Sequence, residues 1–295
     1  MDSALPPLVS VYLPTRGRPQ LLERAVRSVL AQTWKRIELI VVVDGPCLAT
    51  KALLEAIGAE DLGEMRLLVR VLPEPMGACA ARNEALRLAS GTYVTGLDDD
   101  DYFLPERIKG LVSAFDLTSS SFVSTGYLRL HGIGSRETWQ QRVRPRWQTI
   151  HLRQLMRSNV VGNQIFTTLD RMRGVGGFDE TLPAWQDYDC WLRLLQAYGP
   201  ASTVNDCSYV QDLCSGHEQR ISADLTRVDR AIELFERKHR AVGDMAFSSF
   251  VRMNRAFYGG DVLSLSDLVM ILVVDPRWFV PALRHYLGGK FRKNT

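Results

Sequence analysis

The alternation of strand-like and helix-like segments over the first hundred residues predicts an α/β fold with a mainly parallel central sheet flanked by helices. Three observations carry this expectation. Ile37 to Val43 holds six apolar residues in seven, the continuous run of a strand buried on both faces. A helical pattern opens at Pro19, with Leu22, Ala25, Val26, Val29 and Leu30 on one face. Strand-like runs end repeatedly in polar or acidic residues: Pro14-Thr15-Arg16, Asp44-Gly45 and Asp98-Asp99-Asp100-Asp101. In open α/β sheets the ligand sits outside the carboxyl ends of the strands, so these three endings are the first place to look for function.

The elements follow in order. Val9 to Leu13 reads as a strand broken at Pro14, the Pro19 helix follows, and Asp44-Gly45-Pro46 stops the second strand. Lys51 to Ile57 is helical in pattern, Arg66 to Leu72 is a third strand, Ala78 to Ala89 is an Ala- and Leu-rich helix, and Tyr93 to Leu97 is the fourth strand. Beyond Pro105 the regularity loosens. Glu106 to Phe115 reads as helix, Phe122 to Leu130 contains a strand, and 131–150 reads as irregular, aromatic and Arg-rich. A short strand at Gln164 to Thr168 precedes the turn Gly174-Val175-Gly176-Gly177, Tyr188 to Tyr198 is helical, and the chain from Asp224 onward is mostly helix.

Composition narrows the function class. The chain has 295 residues, 46% hydrophobic, with 36 Lys+Arg against 33 Asp+Glu, which excludes a disordered or fibrous chain. A net charge of +3 does not point to nucleic acid. Five cysteines without a C-x-x-C pair read as reduced thiols of a cytoplasmic protein rather than a disulfide or zinc scaffold. The N-terminus carries an acid where a signal peptide needs a base, and no apolar run approaches the ~20 residues needed to span a bilayer.

Four consecutive aspartates after a core strand repel one another and suit neither helix nor strand. One reading is a solvated acidic turn whose first Asp caps the next helix. The other is a site for Mg²⁺ or Mn²⁺ through carboxylate oxygens, with a nucleoside diphosphate as its natural ligand.

The order Val9-Ser10-Val11, Pro14-Thr15, Val42-Val43-Asp44-Gly45, Gly77 through Arg82-Asn83, Gly91-Thr92-Tyr93 and Leu97 to Asp101 followed by Leu104-Pro105 resembles family-2 glycosyltransferases of the GT-A fold. The likeness continues through Gly176-Gly177-Phe178-Asp179-Glu180 and Gln186-Asp187-Tyr188-Asp189, covering roughly residues 8–222. It implies a Rossmann-like GT-A domain over 1–222, with a nucleotide-sugar half (1–105) and an acceptor half (106–222), then a helical C-terminal extension over 223–295. The donor-binding residues it implies are Pro14, Thr15, Arg16, Asp44, Arg82, Asp98, Asp99 and Arg220. Pro14, Thr15 and Asp44 would border the base, Arg82 would approach the base or diphosphate, and Asp98 would contact the ribose. Asp100 would bind the metal, with His217 closing over it and Asp101 supporting its water shell.

Sugar transfer with inversion needs a carboxylate to take the acceptor proton, and the resemblance gives that role to Asp187. The family has Glu-Asp at this point where this chain has Gln186-Asp187. A capping role at the helix starting near Tyr188 competes for Asp187, and Asp189 competes as base. Asp179 reads as a turn residue, and Trp185 either stacks on a sugar or belongs to the core.

Two segments are basic, aromatic and free of acids. Residues 138–157 carry Arg142, Arg144, Arg146, Arg153 and Arg157 beside Trp139 and Trp147, and read as the frame of the acceptor pocket. Residues 276–295 carry Arg277, Arg284, Lys290, Arg292 and Lys293 beside Trp278, Phe279, Tyr286 and Phe291, which suits peripheral contact with an anionic membrane. The resulting expectation is an inverting, metal-dependent enzyme at the cytoplasmic face of the membrane. It would move sugar from a nucleotide donor, UDP-linked by preference, to a glycan or glycolipid in polysaccharide or lipopolysaccharide synthesis. A sugar-nucleotide nucleotidyltransferase is the alternative enzyme, but Thr15-Arg16-Gly17-Arg18 only faintly resembles its triphosphate loop. A phosphatase would want its D-x-D after the first strand. A catalytically dead nucleotide-sugar-binding module is the non-enzymatic alternative, opposed by the joint presence of Asp98, Asp100 and Asp187.

Overall fold

The computed structural model describes residues 5–115, 120–133, 136–214, 224–274, 276 and 279–292. His217 and Arg220 therefore lie outside the described residues, as does Trp278. In chain order the elements are β1 (Val9–Thr15), α1 (Pro19–Leu30), β2 (Ile37–Val43), α2 (Leu48–Gly58), β3 (Arg66–Val71), α3 (Ala78–Leu88), β4 (Tyr93–Gly96), β5 (Tyr102–Phe103) and α4 (Arg107–Ala114). There follow β6 (Val123–Ile133), β7 (Arg136–Val143), β8 (Thr149–Ile150), α5 (Leu152–Leu155), β9 (Phe166–Thr168), α6 (Leu169–Gly174), α7 (Gln186–Tyr198) and β10 (Ala201–Asp212). The last helices are α8 (Leu225–His239), α9 (Met245–Asn254), α10 (Leu265–Val274) and α11 (Phe279–Arg292).

One sheet runs in the order β3-β2-β1-β4-β9-β6-β10-β5. Strands β1 to β4 are mutually parallel, with β1 lying between β2 and β4 in register Val9↔Ile37 and Val9↔Tyr93. The chain builds outward from β1 to β3, then returns to place β4 on the other side of β1. That reversal opens a crevice beyond the carboxyl ends of β1 and β4. Thr15 ends one of these strands and Asp98 follows the other closely.

Side-chain alternation assigns the two faces of the sheet. Val9, Val11 and Leu13 of β1 join Leu39 and Val41 of β2 in a core under α1, α2 and α4. Tyr12, Ile40 and Val42 face the other way and join α3 and α7. This second core continues without interruption into Val228, Ile232 and Phe235 of α8, Phe250 of α9 and Ile271 of α10. The C-terminal helices thus share a core with the sheet and its flanking helices rather than being tethered to them.

One expected region is different in the structure. Within 131–150, expected to be irregular, only 144–148 lack regular structure among the described residues: β6 runs to Ile133 and pairs with antiparallel β7 in register Tyr127↔Val143, and Thr149–Ile150 form β8. The polar run Arg136–Val143 lacks the apolar alternation that marks a strand, because its partnership with β6 lies at the margin of the sheet rather than over a core. The helix containing Asp187 also begins earlier than its apolar pattern suggests, at Gln186.

The one charged residue inside β2 has a structural role. Glu38 is 1% exposed and accepts from Ser10 Oγ (2.5 Å), Ser90 N (2.5 Å), Ser90 Oγ (2.7 Å) and Gly91 N (2.9 Å). Burial pushes its carboxyl up, but these donors outweigh burial and hold it below the ordinary value. A depressed folded-state pKa adds stability above the unfolded pKa that is lost as pH falls through the folded value. We expect Glu38→Gln to cost about 1–3 kcal/mol near pH 7. In urea unfolding, the gap to the parent chain should narrow once pH drops below about 4.

Candidate active site

The four aspartates divide into two pairs. Asp99 and Asp101 are 3% and 4% exposed and turn inward. Asp99 accepts from Thr15 Oγ1 (2.6 Å) and from the guanidinium of Arg18, which tie the turn to β1 and α1. Asp101 accepts from Tyr209 Oη (2.7 Å) and Asp212 N (3.0 Å), which tie it to β10. Burial, reinforced by the charges of Asp100 and Asp98, pushes the Asp101 carboxyl well up, while burial raises Asp99 against the pull of Arg18. Asp101 is therefore part of the turn's anchorage, and its carboxylate is not turned toward a metal's water shell as the resemblance suggested.

Asp98 and Asp100 keep 21% and 16% of their side-chain surface open. Alternation along the turn presents both at the crevice. Asp98 accepts from Arg82 Nη2 (2.9 Å) and Asn163 Nδ2 (2.8 Å), and Asp100 lies 3.3 Å from Arg18 Nη1. Arg82 reaches Asp98 from α3 while its guanidinium lies over the Phe178 ring, 5.4 Å to the centroid. Burial lowers the Arg82 pKa, but Asp98 and its hydrogen bond outweigh that and leave it raised, hence charged. None of the four aspartates caps the following helix, whose N-cap is Glu106.

The other expected donor-site residues are spread around the same crevice. Pro14 and Thr15 end β1 and are buried, while Arg16 is exposed just beyond them. Asp44 is buried, and its carboxylate accepts from Met76 N (2.6 Å) and Gly77 N (3.0 Å), shaping the loop into α3. Asp187 stands in the first turn of α7, where a helix N-terminus favours a carboxylate. Burial raises its carboxyl above the ordinary value, Arg82 pulls it down and Asp98 pushes it up. Asp187, Arg82 and Asp98 therefore act on one another across the crevice. Among the described residues, no group of three His, Cys, Asp or Glu side chains is placed to hold a metal ion.

The sequence and the fold that carry this crevice are matched in known proteins. The family model "Glycosyl transferase family 2" matches residues 10–174. This chain belongs to the family-2 glycosyltransferases. Over 248 residues it is 32% identical to the Escherichia coli protein assigned as the colanic acid biosynthesis glycosyl transferase WcaA, covering 83% of this chain and 85% of that one. Its fold matches that of S. aureus TarS 1-349 in complex with UDP-GlcNAc, with a TM-score of 0.68 and 17% identity over 98% of this chain and 92% of that one. It also matches the mannosyltransferase PcManGT from Pyrobaculum calidifontis in complex with GDP-Man and Mn²⁺, with a TM-score of 0.60 and 17% identity over 98% and 81% of the two chains.

In this glycosyltransferase the candidate base is held from behind. Asp189, two residues on, is fully buried and accepts from Arg193 Nε (2.9 Å), Lys238 Nζ (3.0 Å) and His239 Nε2 (2.8 Å). Burial raises its carboxyl, but His239, Arg193 and Lys238 outweigh burial and keep it below the ordinary value. Asp189 therefore points away from the crevice and locks α7 to α8. Lys238 also reaches Asp179 at 2.5 Å, and Asp179 accepts from Thr181 N (2.9 Å), confirming it as a turn residue. Trp185, the N-cap of α7, is the one non-glycine residue with positive φ among those described, at 62°. Its ring packs on Phe235 (5.3 Å), Phe250 (5.8 Å) and Tyr188 (5.9 Å), so it is partly buried against the core. A bulky residue in this backbone region costs of order 1–3 kcal/mol, which the ring packing offsets.

Sequence reasoning passed over Arg18, Asn163 and Tyr209, all of which touch the aspartate turn. Asn163 had a signal: with Gln164 it forms a polar pair leading into a buried strand. The turn Gly176-Gly177-Phe178 has a physical reason to accompany Asn83. Asn83 exchanges hydrogen bonds with Phe178 N and O, both 2.8 Å, and Gly177, at φ 64°, leaves no room for a Cβ against Asn83 Oδ1. Removing the Asp189 charge would leave three cationic or donor side chains without their buried partner. We expect Asp189→Asn to destabilise the chain by about 3–5 kcal/mol, read from denaturant unfolding.

Proposed function

We propose that this glycosyltransferase moves a sugar from a nucleoside-diphosphate sugar to a hydroxyl of a glycan or glycolipid acceptor by single displacement with inversion. The observation that carries the reading is the convergence of Asp98, Arg82 and Asp187 at the β1/β4 crevice. The donor half supplies a cation, Arg82, suited to a forked pair with phosphate, beside two outward carboxylates. Asp187 approaches from the acceptor half. A UDP-linked donor is the preferred reading, supported by the UDP-GlcNAc bound to TarS; the GDP-Man of PcManGT makes GDP the competing base. The role assigned to WcaA supports a place in cell-surface polysaccharide synthesis, with lipopolysaccharide synthesis in the same chemical class.

Asp98 and Asp100 offer hard oxygen donors at the crevice, while Asp99 and Asp101 are occupied within the protein. That donor set fits Mg²⁺ or Mn²⁺. Asp100 would hold the ion with Asp98 beside it, and His217 would close over it. When bound, such an ion supplies Lewis-acid stabilisation of the leaving diphosphate. The chain's own contribution is positional. Thr15, Arg16, Asp44 and Arg220 border the base and diphosphate, Arg82 holds phosphate, and Asp187 takes the acceptor proton as the hydroxyl attacks. Its raised pKa makes Asp187 a stronger base than an exposed aspartate. The enzyme works at the cytoplasmic face of the membrane, where lipid-linked acceptors are accessible.

Thermal-shift measurements with UDP-, GDP- and dTDP-sugars, each with and without Mn²⁺, test the donor site. We expect stabilisation by one donor class that Mn²⁺ enhances, and its absence for all of them overturns the reading. Asp187→Asn should keep donor binding and lower transfer roughly 10²–10⁴-fold. Since Asp187 must be ionised to act, kcat should rise with pH through a midpoint above the ordinary aspartate value of about 4. Transfer by Asp187→Asn near the parent rate removes Asp187 as the base.

A further inference from the structure

Helix α10 is anchored to the core by Leu268 and Ile271, both nearly inaccessible. On its other side Leu265, Val269, Leu272 and Val273 are 66%, 56%, 47% and 74% exposed. Their i, i+4, i+7, i+8 spacing places them in one stripe along the helix. The only acid in the described part of α10, Asp267, is turned to Arg252 (2.9 Å) and Ser264 (2.7 Å). On α11, Ala282 is buried, while Val280, Arg284 and Leu287 are exposed at i, i+4, i+7 spacing. Two adjoining helices thus leave apolar faces uncovered. Water-facing helices of a monomer do not ordinarily do this, and such faces mark a protein or membrane contact.

Charge decides between these partners. From Pro276 to Thr295 the sequence carries Arg277, Arg284, Lys290, Arg292 and Lys293 and no acid. A second copy docking face to face would bring the same basic segment against itself. An anionic lipid surface would neutralise it and receive the apolar stripe. No helix among the described residues is long and apolar enough to cross a membrane, so the geometry is that of helices lying in the interface.

We propose that the outward faces of α10 and α11 form an interfacial docking surface for an anionic membrane. The apolar residues of α10 enter the headgroup boundary, and Arg284 contacts lipid phosphates. This extends the expected contact beyond 276–295 and makes α10 its apolar half. Lipid binding stands on this surface alone; only its purpose, keeping the enzyme near a lipid-linked acceptor, rests on the function proposed above.

Co-sedimentation of the full-length chain, without nucleotide, with phosphatidylcholine vesicles and with phosphatidylcholine–phosphatidylglycerol vesicles tests this. We expect binding to the anionic vesicles, weaker binding to neutral ones, and partial release by high salt. The paired substitution Val269→Glu and Val273→Glu should reduce binding by about tenfold or more, and Arg284→Glu should reduce it and weaken its salt dependence. Thermal midpoint and donor-induced thermal shift, measured on the same variants, should match the parent and show that the fold and donor site are intact. Absence of binding to anionic vesicles overturns the proposal, as does binding indifferent to these substitutions. So does a dimer in analytical ultracentrifugation that Val269→Glu with Val273→Glu dissolves while vesicle binding is absent. A chain that binds vesicles but no nucleotide sugar would defeat the transferase reading and leave the docking surface standing.

Discussion

The site is organised by the burial of two carboxylates that alternate with two partly open ones. Four like charges in a row cannot all be presented to solvent or all be hidden at tolerable cost. The turn resolves this by alternation. Asp99 is drawn toward Thr15 and Arg18, and Asp101 toward Tyr209 and the backbone of Asp212. These anchors lie on β1, α1 and β10, on opposite sides of the turn, and so fix its backbone from both flanks. Asp98 and Asp100 are then held by the fixed backbone together with their own contacts to Arg82, Asn163 and Arg18. If the inner pair loosened, the outer pair would lose its aim before any ligand was involved.

The first hundred residues were legible in the sequence because their signals are local. A parallel strand buried on both faces shows as an unbroken apolar run, and the residue that ends it shows as the first polar one. Ile37–Val43 and the turn at 98–101 both read in this way. Much of the chain beyond Pro105 was not legible, for two reasons. Strand β7 gains its place by pairing with β6, and its polar residues carry no periodic record of that pairing. The neighbours of the aspartate turn come from distant parts of the chain: Arg18 from α1, Asn163 from the loop before β9, and Tyr209 from β10. Nothing local marks such residues until the topology brings them together. Glu38 shows the same limit from the other side, as an acid in a hydrophobic strand that is neither an error nor a site. It is a buried acceptor for the backbone around Gly91.

The positive charges of the site are as ordered as the negative ones. Arg82, Arg18 and Arg24 reach the acidic turn or its immediate supports from two different helices. Arginine suits this use because its planar fork keeps its charge even when desolvated. A ligand bearing phosphate enters a crevice where both signs are already paired, so it must exchange partners rather than simply add to one side. This favours ligands that bring both an anion and a means to satisfy the carboxylates, which a metal-bound diphosphate does and a lone phosphate does not.

Trp185 keeps a left-handed backbone because its ring is held by Phe235 and Phe250, residues that come much later in the chain. Order of synthesis therefore enters the picture. As the chain emerges from the ribosome, β1 to β4 and the aspartate turn are released well before α8 and α9. Until those helices pack, nothing repays the strain at Trp185, and the start of α7 is free to relax. The strands that carry the aspartate turn are thus made early in biogenesis, but the turn awaits its anchors on β10 and the start of α7 is aimed only when the last part of the core closes.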